Sequence, residues 1–148
     1  MTESPVSLTL LKSARFARGL FNARDLQGLA AFVLGSEKVK GTAELTLDLT
    51  GPARIQALNR RFRGVDRATD VISFRNAAPP RLQGDIAINV AQAAAQARRM
   101  RHPHRRELRL LWIHALLHLL GYTDYEPAPR RRMFKRQNEL LRRWEKNN

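Results

Sequence analysis

The sequence predicts an α+β fold of α/β-like character, a mixed four-stranded sheet packed by about five helices. Two observations carry that expectation. Short stretches alternating with period two are interleaved with stretches at helical period, so strands and helices mix along the chain instead of segregating. One segment, Leu108 to Leu120, is apolar on nearly every side, which suits a helix enclosed in a core. With 148 residues and no visible repeat or low-complexity stretch, the chain is most simply one domain, residues 1–148.

Val6 to Leu11 alternates loosely and reads as the first strand. Asp25 can cap a helix that runs through Leu34 and stops near Gly35. Val39 to Leu49 reads as a second strand, because Leu45, Leu47 and Leu49 alternate with Thr46 and Asp48 and so present one buried and one more polar face. Thr50 then serves as a helix N-cap with Pro52 in the first turn, and Ile55, Leu58 and Phe62 mark the buried stripe of a helix that ends at Arg63-Gly64. Thr69 to Phe74 is a short β-rich strand, and the loop Ala77 to Gln83, with Pro79 and Pro80, separates it from a strand at Asp85 to Val90. Asn89 can begin an alanine-rich helix to Arg101, Pro103 breaks it before the apolar helix, and a last helix runs from about Ala128 to Trp144.

Lysine and arginine number 27 against 13 acids, a net charge of +14. A compositional taste for arginine explains arginine over lysine but not a twofold excess of bases, so a polyanionic partner is expected. The bases cluster: Arg98 to Arg109 holds six arginines against Glu107, and Arg130 to Lys146 holds eight bases against two acids. No strongly amphipathic, aromatic-anchored helix accompanies the charge, and no apolar run is long enough to span a bilayer, so a membrane is not the expected partner. There is no cysteine, hence no disulfide and no thiolate ligand. Lys12 to Arg24 is arginine-rich and free of acids, as organellar presequences are, but the same residues suit the first strand and its loop.

Within the apolar helix, His114 and His118 stand four residues apart, so both imidazoles fall on one face and can grip one ion. Gly121 follows, and its left-handed conformation can turn the chain so that Asp124 comes over the pair as a third ligand. Two histidines at helical spacing are more often core or surface residues than ligands. Burial in an apolar helix changes the balance, since each imidazole then needs a partner and an ion satisfies both. Three protein ligands with an open position is the pattern of a catalytic metal. The expected cofactor is one divalent ion, Zn2+ from the imidazole pair, with Mn2+ or another divalent ion admitted by the carboxylate of Asp124. Glu126 is the fallback third ligand. His102 and His104, flanking Pro103, are expected in solvent and serve only as reserve ligands. Peptide hydrolysis of the His-Glu-x-x-His type is excluded because the position after His114 is Ala115.

The stretch His114, Leu117, His118, Leu119, Leu120, Gly121, Tyr122 resembles the hallmark of the YbeY family of metal-dependent endoribonucleases, departing from its Asp-His ending at Thr123 and Asp124. Leu58 to Phe74, LNRRFRGVDRATDVISF, and Gly84-Asp85-Ile86 are similar to two further family segments in the right order, so the resemblance covers about Leu45 to Tyr122. It implies a catalytic role for Arg63 and a third metal ligand at Asp124, where the family has histidine. Asp70, Ser73 and Asp85 could line the cleft, or could serve a turn and strand ends. The function implied is a single-strand-specific endoribonuclease acting in 16S ribosomal RNA maturation and ribosome quality control, with RNA and the ribosomal subunit as partners and a cytoplasmic, alternatively organellar, location. The rival is a ribosome- or RNA-binding protein whose ion is structural.

Overall fold

The computed structural model describes residues 5–15 and 21–148. The elements run β1 (Val6–Lys12), α1 (Ala23–Ser36), β2 (Thr42–Thr50), α2 (Pro52–Arg63), β3 (Val71–Ala77), β4 (Arg81–Asn89), α3 (Val90–Met100), α4 (His104–Leu119) and α5 (Pro127–Asn147). β2 and β4 form the parallel centre of one sheet ordered β1-β2-β4-β3, with β1 parallel to β2 on one edge and β3 antiparallel to β4 on the other. The four strands and five helices expected from the sequence are therefore present. The antiparallel pair follows from a short connection, since a parallel return needs a crossover of a dozen or more residues.

Alternation along the strands sorts the sheet into two unequal faces. Ala43, Leu45, Leu47 and Leu49 of β2 join Leu82, Ile86 and Ile88 of β4 in the large core, against buried residues of α1, α4 and α5. Residues of the other parity, Ile72 and Ala87, make a small second cluster with Ile55 of α2. Trp112 lies fully buried at the centre of the large core and donates its indole N–H to the Leu26 carbonyl at 3.0 Å. Truncating such a residue to alanine costs about 3–5 kcal/mol. The end of α4 sits hard on the sheet: a Cβ added at Gly84 would come within 2.5 Å of the Leu119 side chain, and Arg75, paired with Gly84 across the strands, donates to the Leu119 carbonyl at 3.2 Å.

Several local expectations shift. Asn22, not Asp25, caps α1, accepting from the Asp25 amide at 2.7 Å. α2 starts from Gly51 with no side-chain cap, because Thr50 is the last residue of β2 and is paired there with Asn89. β2 begins at Thr42 instead of Val39, and β4 begins at Arg81 instead of Asp85, since the sheet recruits Leu82 into the core and shortens the expected loop. Phe62 is 57% exposed and packs on Phe74 at a tilt, with ring centroids 5.2 Å apart. The Asn89 cap of α3 is as expected, accepting from Gln92. The presequence reading of Lys12 to Arg24 falls in part on residues 16–20, outside the described residues. Among the described residues no helix is long and apolar enough to cross a membrane.

Candidate metal centre

α4 carries the two histidines on its last turns, and the chain then turns back at once. The Tyr122 amide donates to the Leu117 carbonyl at 3.0 Å and Gly121 takes φ +101°, a conformation that side-chain-bearing residues adopt at a cost. That turn brings Asp124 over the helix end. The Nε2 atoms of His114 and His118 are 3.1 Å apart, and an Asp124 carboxylate oxygen lies 3.6 Å from each. Ligand atoms about 2.1 Å from a tetrahedral ion stand about 3.4 Å apart, so the triangle already has the size of a three-ligand site.

The far nitrogens decide what those atoms are. His118 Nδ1 is 3.0 Å from the Tyr122 carbonyl oxygen, which can only accept, so Nδ1 carries the proton and Nε2 presents a lone pair. His114 Nδ1 faces the side-chain oxygen of Gln137 at 2.7 Å, with the same consequence. Two lone pairs and a carboxylate thus converge on one point, an arrangement that repels itself unless a cation occupies the centre. Burial, and then the adjacent His114, hold the His118 imidazole below the ordinary histidine value against the opposing pull of Asp124, keeping it neutral and ready to ligate. Among the described residues, His114, His118 and Asp124 are a group that could hold a metal ion.

Support comes from two residues that sequence reasoning missed. Gln137 is buried in α5 among Met133, Leu140 and Leu141. A polar residue at i+4 in an otherwise apolar stripe was the available signal. Glu37 accepts from the Tyr122 hydroxyl at 2.6 Å and from Arg136 at 3.4 Å, fixing the residue whose carbonyl orients His118.

The triad forms one wall of a groove of about 600 Å3. The opposite wall comes from the end of α2, the following loop and β3. Arg63 stands at the last turn of α2, where Gly64 closes the helix in the left-handed conformation. Its guanidinium donates to the Ser73 carbonyl at 2.8 Å and lies over the Phe74 ring at 5.4 Å. Asn59, buried on α2, ties the loop down by donating to the Arg67 carbonyl at 2.9 Å. Arg63, Asp70 and Ser73 therefore share the groove with the triad, and Arg67 and Arg75 join them. Asp85 does not: it points to the other face of the sheet, where it accepts from Asn76 at 2.7 Å. Glu126 is exposed at the start of α5, outside the metal-facing group. His102 and His104 are not solvated as expected. His102 contacts the buried Glu107 at 2.7 Å, and His104 donates to the Val90 carbonyl at 3.1 Å.

Residues 21–145 match the family model described as endoribonuclease YbeY. The endoribonuclease YbeY of Anaeromyxobacter sp. (strain Fw109-5) is 42% identical over 138 residues, covering 91% of this chain and 71% of that protein. That of Listeria innocua is 37% identical over 132 residues, covering 78% and 82%. Among solved structures, the solution structure of TM1509 from Thermotoga maritima is similar with a TM-score of 0.65 at 26% identity, over 95% of this chain and 93% of that one.

Proposed function

The chain belongs to the endoribonuclease YbeY family, and from that premise we propose that it is a metal-dependent endoribonuclease specific for single-stranded RNA, acting in the cytoplasm in 16S ribosomal RNA maturation and ribosome quality control. The observation that carries the reading is the convergence of two imidazole lone pairs and a carboxylate across a groove from an arginine. His114, His118 and Asp124 would hold one divalent ion, zinc by their nitrogens, with manganese admitted by the carboxylate. Such an ion supplies Lewis acidity at a phosphoryl oxygen or makes water acidic enough to attack.

The chain's own residues supply the remainder. Gln137 and the Tyr122 carbonyl hold both rings with Nε2 toward the groove. Arg63, exchanging the Ser73 carbonyl for a phosphate, presents paired N–H donors and offsets the charge that builds at phosphorus. Arg67 and Arg75 extend the positive field along the groove and so along the RNA backbone. The nucleophile is water or the RNA's own 2′-hydroxyl, and the second would leave a cyclic phosphate. The rival, an RNA-binding protein with a structural ion, is disfavoured by the donor count, because structural zinc is usually closed by four protein ligands.

Elemental analysis of the purified protein combined with a cleavage assay on single- and double-stranded RNA tests the proposal. About one divalent ion per chain and chelator-sensitive cleavage of the single strand are expected. A protein that binds metal and RNA but never cleaves would overturn it.

A further inference from the structure

Every other aromatic side chain among residues 5–15 and 21–148 has a partner. Phe32 packs on Trp144, Phe62 on Phe74 and Phe134 on His114; Phe21 lies under Arg109; Trp112 and Tyr122 donate hydrogen bonds. Tyr125 has none: it is 77% exposed, and no ring, cation or polar group among the described residues engages it. It stands next to Asp124 and lines the groove that holds the triad and Arg63. The segment between α4 and α5 is short, fixed at one side by the Tyr122 hydroxyl on Glu37 and at the other by the Arg130 amide on the Glu126 carbonyl at 2.9 Å. The ring therefore stands largely in water beside the point where the metal-facing groups converge.

An amphipathic ring standing in water at the edge of a cationic groove has a natural occupant in an unpaired nucleobase, whose π-face stacks on an aromatic side chain irrespective of base identity. We propose that Tyr125 is the stacking platform for the nucleobase flanking the scissile phosphate, and that the single-strand preference of the groove originates there. Bases in a duplex are already stacked on both faces, so only a single strand can offer one to the tyrosine. Arg63, Arg67 and Arg75 hold the backbone without regard to base, while Tyr125 fixes its register against the metal-facing groups. This inference rests on the RNA-cleaving function proposed above.

The test uses metal-stripped protein and a single-stranded oligoribonucleotide carrying 2-aminopurine at successive positions, with affinity read by fluorescence anisotropy. Wild type should quench 2-aminopurine strongly at one position. Tyr125→Ala should remove that quench and weaken affinity by about tenfold or more, whereas Tyr125→Trp should retain both. In the metal-loaded protein, Tyr125→Ala should raise KM by a similar factor with unchanged metal content, and an abasic site at the quenched position should reproduce the loss in wild type. Equal affinity and equal quenching in wild type and Tyr125→Ala, with cleavage intact, would overturn the platform and leave the RNA-cleaving function standing. Wild type that neither binds nor cleaves RNA would overturn both.

Discussion

One pair of histidines stands at the start of α4, with His102 just before it and His104 its first residue, and a second pair near its end; the two pairs differ in what their ring nitrogens face. At the start, His102 donates from Nε2 to the buried Glu107 and accepts on Nδ1 from Arg106 at 3.1 Å, so donor meets acceptor twice. His104 likewise gives its proton to a carbonyl. At the other end, His114 and His118 spend their protons on Gln137 and Tyr122 and turn bare nitrogens toward each other and toward Asp124. All four rings are partly buried and hydrogen-bonded. Burial and hydrogen bonding therefore do not separate the two pairs; an excess of acceptors over donors does.

The sharpest break of this comparison is to remove a ring from each pair. His114→Ala or His118→Ala should abolish tight divalent-ion binding, and Asp124→Ala should weaken it severely, while Asp124→His should preserve it and shift the pH profile of cleavage downward. His102→Ala should leave metal content untouched and destabilise the fold by about 1–3 kcal/mol, because Glu107 is left buried without its partner. Equal metal content across all these variants would sink the distinction. Next in size is Arg63→Ala, expected to slow RNA cleavage by about 10²–10³-fold at unchanged metal content. Arg63→Lys should not restore it, since lysine lacks the planar fork. Cleavage at the wild-type rate would remove Arg63 from the chemistry.

A smaller effect sharpens the role of the far nitrogens. Gln137→Leu preserves volume but frees the His114 tautomer, so metal affinity measured by competition with a chelator should fall about 10–100-fold. Smallest is a pH effect at the helix start. Burial, outweighing the Val90 hydrogen bond, lowers the His104 pKa from 6.5, so below that pH the unfolded chain takes up the proton first. The contribution of His104 to stability is therefore whole above pH 6.5 and declines below it. In metal-free protein, melting should drop between about pH 7.5 and about pH 5.5, and His104→Gln should recover a small part of that drop.

The contrast also separates what the sequence could reveal from what it could not. Helix spacing and a glycine turn are local, so the positions of His114, His118 and Asp124 could be read from a single stretch, and the alternation of β2 exposed its buried face. Phe62 misled because it lies in the right helical stripe while the second cluster on that face of the sheet is small and ends at Leu58 and Phe74. Gln137 interrupts the apolar stripe of α5 but its partner His114 lies on another helix, and Glu37, the C-cap of α1, reaches Tyr122 across a tertiary distance that no local period announces. His104 reaches Val90 at the start of α3, a contact no local pattern announces, whereas the partner of His102, Glu107, stands only five residues on in the first turn of α4.

The two walls of the groove have separate origins in the chain, and this makes them separable under selection. One wall is a single continuous piece, residues 114–124, whereas the arginine opposite arrives from α2 and is tied to it only through the sheet. Loss of Arg63 would leave the metal-facing group of His114, His118 and Asp124 in place, so natural selection for that group alone would not register it. Loss of either histidine would break that group directly. Among descendants of such a protein, silent metal-binding forms should therefore outnumber metal-free ones that still carry the arginine.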